Sequence, residues 1–252
     1  TMSDRPEPMS QYVAAGDDFL AQQRLLVIAP HADDEAFGCA GTIAKIKALG
    51  GEVFVMLMSV GDLEQYNSDI AFAESSTRIS EFEDVVNYLK IDDYDIVLKD
   101  SESYMRLDAM PRRDLIHIIE KTSKLALDRI NPTIVALPAI SHNQDHVAVF
   151  YAGFTACRAH DQSVKSFPNI VLAYDNPTLF WNVDSDKFRP NFYVDISKYL
   201  DAKLNSMRLH KSQLRHSPHC LSIENMEYLS RVRGHEISVA AAEAYMCYRL
   251  VL

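Results

Sequence analysis

The sequence contains little cysteine, and its cysteines lie far apart. The four residues, Cys39, Cys157, Cys220 and Cys247, form no Cys-x-x-Cys pair. Such spacing predicts neither a disulfide framework nor a thiolate metal site. We therefore expect buried, reduced thiols and a cytoplasmic protein.

Long apolar runs and excess positive charge are also missing. No stretch approaches the roughly 20 consecutive apolar residues that a membrane-spanning helix needs. Residues 1–16 are polar and lack the layout of a signal peptide. The 25 basic and 35 acidic residues give a net charge of −10, which repels phosphate backbones. We expect no nucleic-acid partner and no integral membrane segment.

Glycine is scarce, with 8 residues in 252. A dinucleotide-binding turn needs a Gly-x-Gly-x-x-Gly pattern between a strand and a helix. Gly38 and Gly41 instead fall inside a predicted helix. The sequence therefore does not favour NAD binding.

What the sequence does contain is an alternation of apolar runs and amphipathic segments. Hydrophobic residues make up 48% of the chain and charged residues 24%, as in a globular protein. Apolar runs predict strands at 25–29, 53–58, 95–98, 133–137, 170–174 and 192–196. Helical patterns cover 36–49, 69–89, 111–130, 145–160, 197–214 and 222–247. This order predicts one α/β domain over 21–252, Rossmann-like and three-layered, with a mostly parallel sheet flanked by helices. A polar arm over 1–20 precedes it.

Two polar clusters occupy equivalent places in this pattern. Residues 30–35, Pro-His-Ala-Asp-Asp-Glu, follow the first strand, and residues 141–146, Ser-His-Asn-Gln-Asp-His, follow the fourth. Ligands of parallel α/β sheets bind at the carboxyl ends of the strands. We therefore expect the two clusters to face each other across one crevice.

The residue types in these clusters suit a metal ion. Histidine and carboxylate are good zinc ligands, and a catalytic zinc keeps three protein ligands and an open position. His31 and Asp34 are three residues apart, and the second cluster would supply a third ligand. One carboxylate of the Asp33–Asp34 pair would remain to accept a proton from water. The alternative is that the Asp-Asp-Glu run only caps a helix and compensates its dipole.

Two other histidine groups are weaker candidates. His142 and His146 are four residues apart, but the glutamate of a His-Glu-x-x-His zinc helix is missing. His210, Lys211 and Arg215 would suit an anion, although a solvated helix face explains them more simply.

The motifs of the chain resemble those of the PIG-L/LmbE-like zinc-dependent N-acetyl-sugar deacetylase family. The resemblance covers most of the chain and includes further motifs beside the two clusters. These are Gly41-Thr42-Ile43, Ser59-Val60-Gly61, Arg78-x-x-Glu81, residues 190–196, Lys211-Ser212-Gln213, Arg233-Gly234 and Ala242-Glu243-Ala244-Tyr245.

The resemblance implies a role for each residue that matches the family motif. It places Zn²⁺, or another divalent transition metal, on His31, Asp34 and His146. Asp33 would be the general base. Asp145 would not bind the metal itself but would tune the properties of the neighbouring ligands.

The roles nearer the substrate are less completely defined by the resemblance. Arg78 matches a position that contacts substrate hydroxyls. Many family members have a histidine that polarises the scissile carbonyl where this chain has Asn143. His142 lies one residue earlier, so either residue is a candidate for assisting the oxyanion and the leaving amine.

The implied activity is removal of the N-acetyl group from an amino sugar or its conjugate, in surface-polysaccharide, glycoconjugate or antibiotic biosynthesis. The alternative is a metal-dependent hydratase of a small unsaturated carboxylic acid on the same scaffold. Relatives often assemble, so a homo-oligomer is possible. The substrate depends on the loops at 62–77, 100–110 and 175–190, which contain no diagnostic motif.

Overall fold

A seven-stranded β-sheet forms the centre of the protein in the computed structural model, which describes residues 10–65, 70–161, 163–181, 183 and 187–251. The strands are β1 (Arg24–Ala29), β2 (Glu52–Ser59), β3 (Leu63–Glu64), β4 (Phe72–Ala73), β5 (Asp93–Leu98), β6 (Ile134–Pro138), β7 (Ile170–Tyr174), β8 (Phe192–Asp195) and β9 (Ala242–Leu250). The sheet order is β5-β2-β1-β6-β7-β9-β8, and β3 pairs with β4 in a separate hairpin. The first five strands of that order are parallel, and β9 runs antiparallel to β7 and β8.

Helices cover both faces of the sheet, which confirms the predicted three-layer α/β fold. They are α1 (Ser10–Ala21), α2 (Asp34–Leu49), α3 (Ser75–Leu89), α4 (Arg112–His117), α5 (Leu127–Ile130), α6 (Gln144–Ala156), α7 (Leu200–Leu209) and α8 (Ile223–His235). One apolar core contains side chains of α2, α3, α7 and α8, such as Phe37, Phe82, Leu204 and Met226. The other core contains side chains of α4, α5 and α6, such as Leu115, Leu127 and Val149.

The continuous apolar sequence of β1 follows from its central place. Leu25 and Val27 pack into the first core, whereas Leu26 and Ile28 pack into the second. Successive side chains of a strand point to opposite faces, so a strand that is covered on both faces has no polar side.

The connections place a topological switch point between β1 and β6. From β1 the chain moves outward through β2 to β5, and it then returns to β6 on the other side of β1. Loops that leave two such strands diverge and open a crevice at the carboxyl edge of the sheet. The two polar clusters of the sequence are the loops after β1 and after β6.

The polar arm predicted over 1–20 overlaps α1, which begins at Ser10. Residues 1–9 lie outside the described part of the chain. Leu20 is buried in the first core, and Asp17 pairs with Lys45 of α2 at 2.9 Å.

The helices predicted over 69–89 and 111–130 are shorter than expected. The first begins only at Ser75, because Phe72 and Ala73 form β4; residue 69 lies outside the described residues. The second breaks into α4, a π-helical turn over Ile118–Thr122, and the short α5. Helix α3 still buries Phe82, Val85 and Leu89.

The prediction of helix over the whole of 222–247 is wrong in its second half. Helix α8 ends at His235, and β9 begins at Ala242. The alanine-rich sequence there favours helix, but Glu243 accepts hydrogen bonds from the backbone of Gly41 and Thr42 at 2.9 and 2.7 Å. Tertiary contacts therefore override the local propensity. The helix predicted over 197–214 is limited to Leu200–Leu209.

The described residues contain four free cysteines and no helix that is long and apolar enough to cross a membrane. Cys39 and Cys157 are buried as expected, but Cys220 and Cys247 are partly exposed.

We expect Gly38→Ala to destabilise the protein by about 1–3 kcal/mol. A Cβ atom at this position of α2 would lie directly against the ring carbons of Tyr174. Gly16→Ala in α1 is the matched control, because a Cβ atom there meets nothing within 4 Å, and alanine in a helix gains about 0.5–1 kcal/mol. Urea denaturation of both variants measures the difference, and equal stabilities would contradict the packing described here.

Candidate active site and metal centre

The candidate site is a cleft of about 200 Å³ at the carboxyl edge of the sheet, at the switch point between β1 and β6. Fifteen residues line it: His31, Asp33, Asp34, Phe37, Leu63, Arg78, Tyr104, Met105, His142, Asn143, His146, Asn176, Thr178, Gln213 and Leu221. The two polar clusters therefore meet in one cavity, as their positions after β1 and β6 predicted.

The loop after β1 turns sharply into α2. The Asp34 amide donates to the His31 carbonyl at 3.4 Å, and the Asp33 carbonyl accepts from Ala36 and Phe37. Asp33 has a φ of 145°, and its side chain makes no capping hydrogen bond to α2. Backbone strain of this kind in a non-glycine residue concentrates at functional sites. The capping interpretation therefore fails for Asp33.

His31, Asp34 and His146 form a cluster that could hold a metal ion. One ligand atom of each lies within 4.8 Å of the other two. The Asp34 Oδ2 atom is 3.6 Å from Nδ1 of His31 and 3.3 Å from Nε2 of His146. All three side chains are buried. Two imidazoles beside one carboxylate oxygen match the donor set of a catalytic zinc site.

Asp145 orients His31 from behind. Its Oδ2 atom lies 3.0 Å from Nε2 of His31, and its Oδ1 atom accepts from the Leu107 amide at 2.9 Å. An ionised carboxylate only accepts hydrogen bonds, so Nε2 carries the proton and Nδ1 presents its lone pair to the cluster. This carboxylate–histidine arrangement is typical of metal ligands.

His146 also turns one ring nitrogen, Nε2, toward the carboxylate of Asp34. Among the described residues its Nδ1 atom has no hydrogen-bond partner, although it is buried. The site therefore fits a divalent ion, since both imidazoles can present a lone pair beside the carboxylate.

The surroundings favour a neutral His31 and a charged pair formed by Asp34 and His146. Burial lowers the pKa of His31, although the hydrogen bond that His31 donates to Asp145 opposes this. Burial acts against the charged form of Asp34, but the charges and hydrogen bonds of His146 and His31 together lower the pKa of Asp34. Burial lowers the pKa of His146, but the charge and hydrogen bond of Asp34 oppose this, and the pKa of His146 is raised. A bound cation would replace the proton of His146.

Asp33 lies beside this cluster but is not one of the three candidate ligands. Burial, and then the charge of Asp34, raise the pKa of Asp33 to about 8, whereas Arg78 acts in the opposite direction. Part of its side chain faces the cleft. A carboxyl group in this position can exchange a proton near neutral pH.

A buried pair of side chains supports the strained turn at Asp33. The Asp33 amide donates to Oε2 of Glu35 at 3.1 Å, and the Oε1 atom of Glu35 lies 2.7 Å from Nε2 of His210. Glu35 and His210 are both buried. The predicted solvated helix face is therefore wrong for His210, which binds the carboxylate that holds the turn.

Arg78 is almost completely buried at the wall of the cleft. Its Nη1 atom donates to the Gly61 carbonyl at 3.1 Å, and its guanidinium lies 4.7 Å from the ring centre of Tyr104. Its Nε atom has no hydrogen-bond partner among the described residues. The Tyr104 ring also packs edge-on against His31 at 5.4 Å. Arg78 is thus held rigidly with one donor unused.

Asn143 and His142 lie at the start of α6, one partly buried and the other exposed. The Oδ1 atom of Asn143 accepts from the Asp145 amide at 2.9 Å and caps the helix. Its Nδ2 group remains the donor toward the cleft, 4.0 Å from the sulfur of Met105. The Nδ1 atom of His142 donates to the Trp181 carbonyl at 3.2 Å. Asn143 therefore lies nearer to the cluster, and His142 at the mouth.

Sequence reasoning missed several residues of the cleft. Asn176 donates from Nδ2 to Oδ1 of Asp34 at 3.1 Å and so fixes the carboxylate. It follows β7, so the rule that placed the other two clusters at strand ends would have indicated it. Tyr104 comes from a loop whose sequence contains no such signal, and Gln213 belongs to the Lys211-Ser212-Gln213 motif, for which the resemblance gave no role. Parts of the predicted substrate loops at 62–77 and 175–190 lie outside the described residues.

Comparison with models of known protein families assigns the chain to a family. Residues 26–157, just over half of the chain, match the model of the PIG-L family, described as GlcNAc-PI de-N-acetylase. The matched span contains the cluster, Asp33 and Arg78. The protein belongs to the PIG-L family, as its motifs predicted, and this is a family of deacetylases.

The relatives agree with this assignment. The chain is 26% identical to the diacetylchitobiose deacetylase of Thermococcus kodakarensis over 76% of its own length and 70% of the relative's. It superimposes on N,N'-diacetylchitobiose deacetylase from Pyrococcus horikoshii with a TM-score of 0.65 at 18% identity, covering 98% of this chain and 95% of the other. GalB, the 4-carboxy-2-hydroxymuconate hydratase of Pseudomonas putida, superimposes with a TM-score of 0.67 at 16% identity, covering 92% and 98%. The fold is therefore shared by enzymes of different chemistry.

The Glu35–His210 pair predicts a pH-dependent contribution to stability. Although burial opposes it, Glu35 raises the pKa of His210 above 6.5. The contribution is therefore complete below the unfolded pKa and is lost as pH rises through the folded pKa. Urea denaturation of the metal-free protein should show that the difference between wild type and His210→Gln shrinks above about pH 6.5.

His117→Gln, on an exposed position of α4, is the control and should differ from wild type by a small amount that is constant with pH. A His210→Gln difference that stays equally constant would contradict the charged pair.

Proposed function

We propose that this protein is a zinc-dependent deacetylase that removes the acetyl group from an N-acetylated amino sugar or its conjugate. The observation that carries the proposal is the convergence of His31, Asp34 and His146 within 4.8 Å in one cleft, with Asp33 beside them. Membership of the PIG-L family supports the deacetylation reaction. The named activities of the diacetylchitobiose deacetylases support an N-acetylated sugar as the substrate.

His31, Asp34 and His146 are the proposed ligands of the metal. A zinc ion in such a site acidifies a water molecule and polarises the acyl oxygen as a Lewis acid. Asp145 and Asn176 position two of the ligands through their hydrogen bonds to His31 and Asp34. Their role explains why residues outside the ligand set are buried and fixed.

Asp33 is the proposed general base. It accepts a proton from the attacking water as the new C–O bond forms at the amide carbon. The C–N bond then breaks, and the same proton passes to the departing nitrogen. The carboxylic acid then loses the second proton of the water, which the released amine takes up, so the products are acetate and the protonated amine and atoms and charges balance. The turn strained at Asp33 holds this carboxylate beside the cluster without making it a ligand.

Three further side chains are proposed to bind the substrate. The Nδ2 group of Asn143 is placed to donate to the developing oxyanion. His142, at the mouth, is the second candidate for the oxyanion and the leaving amine. Arg78, which lines the same cleft, is the proposed contact for a sugar hydroxyl.

Replacing Asp33 by Asn should lower turnover by about 10²–10⁴-fold while the metal stays bound, because only the proton acceptor is lost. Asparagine tolerates a positive φ, so the turn should persist. Release of acetate from N-acetylhexosamines measures the activity, and elemental analysis measures the metal. Near-normal rates in this variant would remove Asp33 from the role of general base.

Metal binding should depend on His146 and not on His142. We expect His146→Ala to lose the ion almost completely, because a ligand is removed from a buried site. His142→Ala, four residues earlier in the chain, should retain about one ion per chain. A chelator should abolish acetate release, and added Zn²⁺ should restore it. Full metal content in His146→Ala would contradict the ligand assignment, and hydration of an unsaturated acid without acetate release would favour the hydratase alternative.

A further inference from the structure

Met105 lines the candidate active-site cleft in an unusual backbone conformation. The Arg106 amide donates to the Ser103 carbonyl at 3.2 Å and closes a tight turn, in which Met105 is the third residue and has a φ of 58°. Turns with a positive φ at this place carry glycine or asparagine there, because a bulkier side chain is disfavoured in this conformation. The backbone alone would therefore favour glycine over methionine at position 105.

A helix end explains the positive φ of two other residues but not that of Met105. Lys90 and Asn131 follow the last residues of α3 and α5, where a left-handed residue is common. Met105 ends no helix, and like the strained Asp33 it lines the cleft. Backbone strain concentrates at functional sites, so we expect the side chain of Met105 to act on what the cleft binds.

The side chain of Met105 lies beside the proposed donor to the oxyanion. Its Sδ atom is 4.0 Å from Nδ2 of Asn143, whose Oδ1 atom is used to cap α6. In an N-acetyl group the oxygen and the methyl group are bonded to the same carbon. An acyl oxygen that accepts from Nδ2 of Asn143 therefore brings the acyl methyl group next to the thioether of Met105.

Met105 also lies at the boundary between the cleft and a larger groove. Its carbonyl accepts a hydrogen bond from Nε2 of Gln144 at 2.9 Å. Gln144 lines this groove of about 620 Å³, and His142 lines both the groove and the cleft, which itself has only about 200 Å³. An acyl chain longer than acetyl that extended from the cleft toward the groove would meet the side chain of Met105.

We infer that Met105 is a specificity-determining residue that limits the acyl group removed by this protein to acetyl. This inference rests on the proposed function, because it places the acyl carbon at the metal cluster and the acyl oxygen at Asn143. The unbranched thioether suits the role, since it fills irregular space and presents an apolar surface to the methyl group. N-Propionyl and N-butyryl sugars, which need the space of this side chain, are then poor substrates.

The test uses the zinc-loaded full chain and glucosamine that carries an N-acetyl, N-propionyl or N-butyryl group. Release of the free amine measures kcat/KM for all three sugars. Each added methylene should lower kcat/KM of the wild type by about 10- to 200-fold. Met105→Gly, which suits the positive φ, should keep the metal and bring the ratio between the three sugars toward one. Met105→Leu, which nearly conserves the volume of the side chain, should keep the preference for acetyl.

Lys90→Gly is the matched control, since Lys90 has a φ of 56°, is exposed and does not line the cleft. This variant should keep the wild-type preference for acetyl, which separates the loss of the Met105 side chain from the effect of glycine on the backbone. A wild type that cleaves all three sugars equally, or a preference that is unchanged in Met105→Gly, overturns the inference and leaves the proposed function standing.

Binding is measured separately, by calorimetry on zinc-loaded Asp33→Asn, in which turnover is slowed. N-Acetylglucosamine should bind more tightly than N-butyrylglucosamine, and adding Met105→Gly should remove the difference. This binding result without any amine release by the wild type supports the role of Met105 and contradicts the proposed function. Absence of binding by all three sugars overturns the inference.

Discussion

The carboxylate of Asp34 is the interaction on which the rest of the site depends. It is buried at the first turn of α2 and accepts from the His31 amide and from Asn176, while His146 faces the same side chain from α6. Loops after β1, β6 and β7 therefore meet at one group. A buried charge is costly unless it is paired and hydrogen-bonded, so the folded chain must bring all three loops together or leave this carboxylate unsatisfied. A cation that replaces the proton between Asp34 and the imidazoles would use the same arrangement.

The carboxyl-terminal part of the chain supplies two strands of the sheet and also supports α2. Lys203 of α7 donates to the Phe37 carbonyl and to Glu243 of β9, both at 2.6 Å. Glu243 in turn accepts from two backbone amides of α2. Together with the His210–Glu35 pair, these buried contacts fix the helix that begins at the reactive turn. The distal elements thereby hold Asp33 in a backbone conformation that it would not adopt alone.

The parts of this structure that could be predicted from sequence are those with a local signal. Strand β6, and β1 from Leu25 onward, are apolar because both faces are covered, and the polar residues that follow them mark the carboxyl edge of the sheet. That rule located the two clusters, with His31 and Asp34 in the first, without coordinates, and the resemblance to the family then selected His146 in the second. Strand β9 could not be predicted, because its alanine-rich sequence favours helix and its pairing partners lie far away in the chain. Likewise, Glu35 and His210 are separated by 175 residues, and only the tertiary structure shows that they form a pair.

Anomalous X-ray diffraction from zinc-loaded crystals, measured at the zinc absorption edge, tests the central claim most directly. The account predicts one strong peak within bonding distance of Asp34 and of one nitrogen each from His31 and His146, with the Asp33 carboxylate alongside and unligated. A zinc peak at another place, with none beside these three side chains, would contradict it.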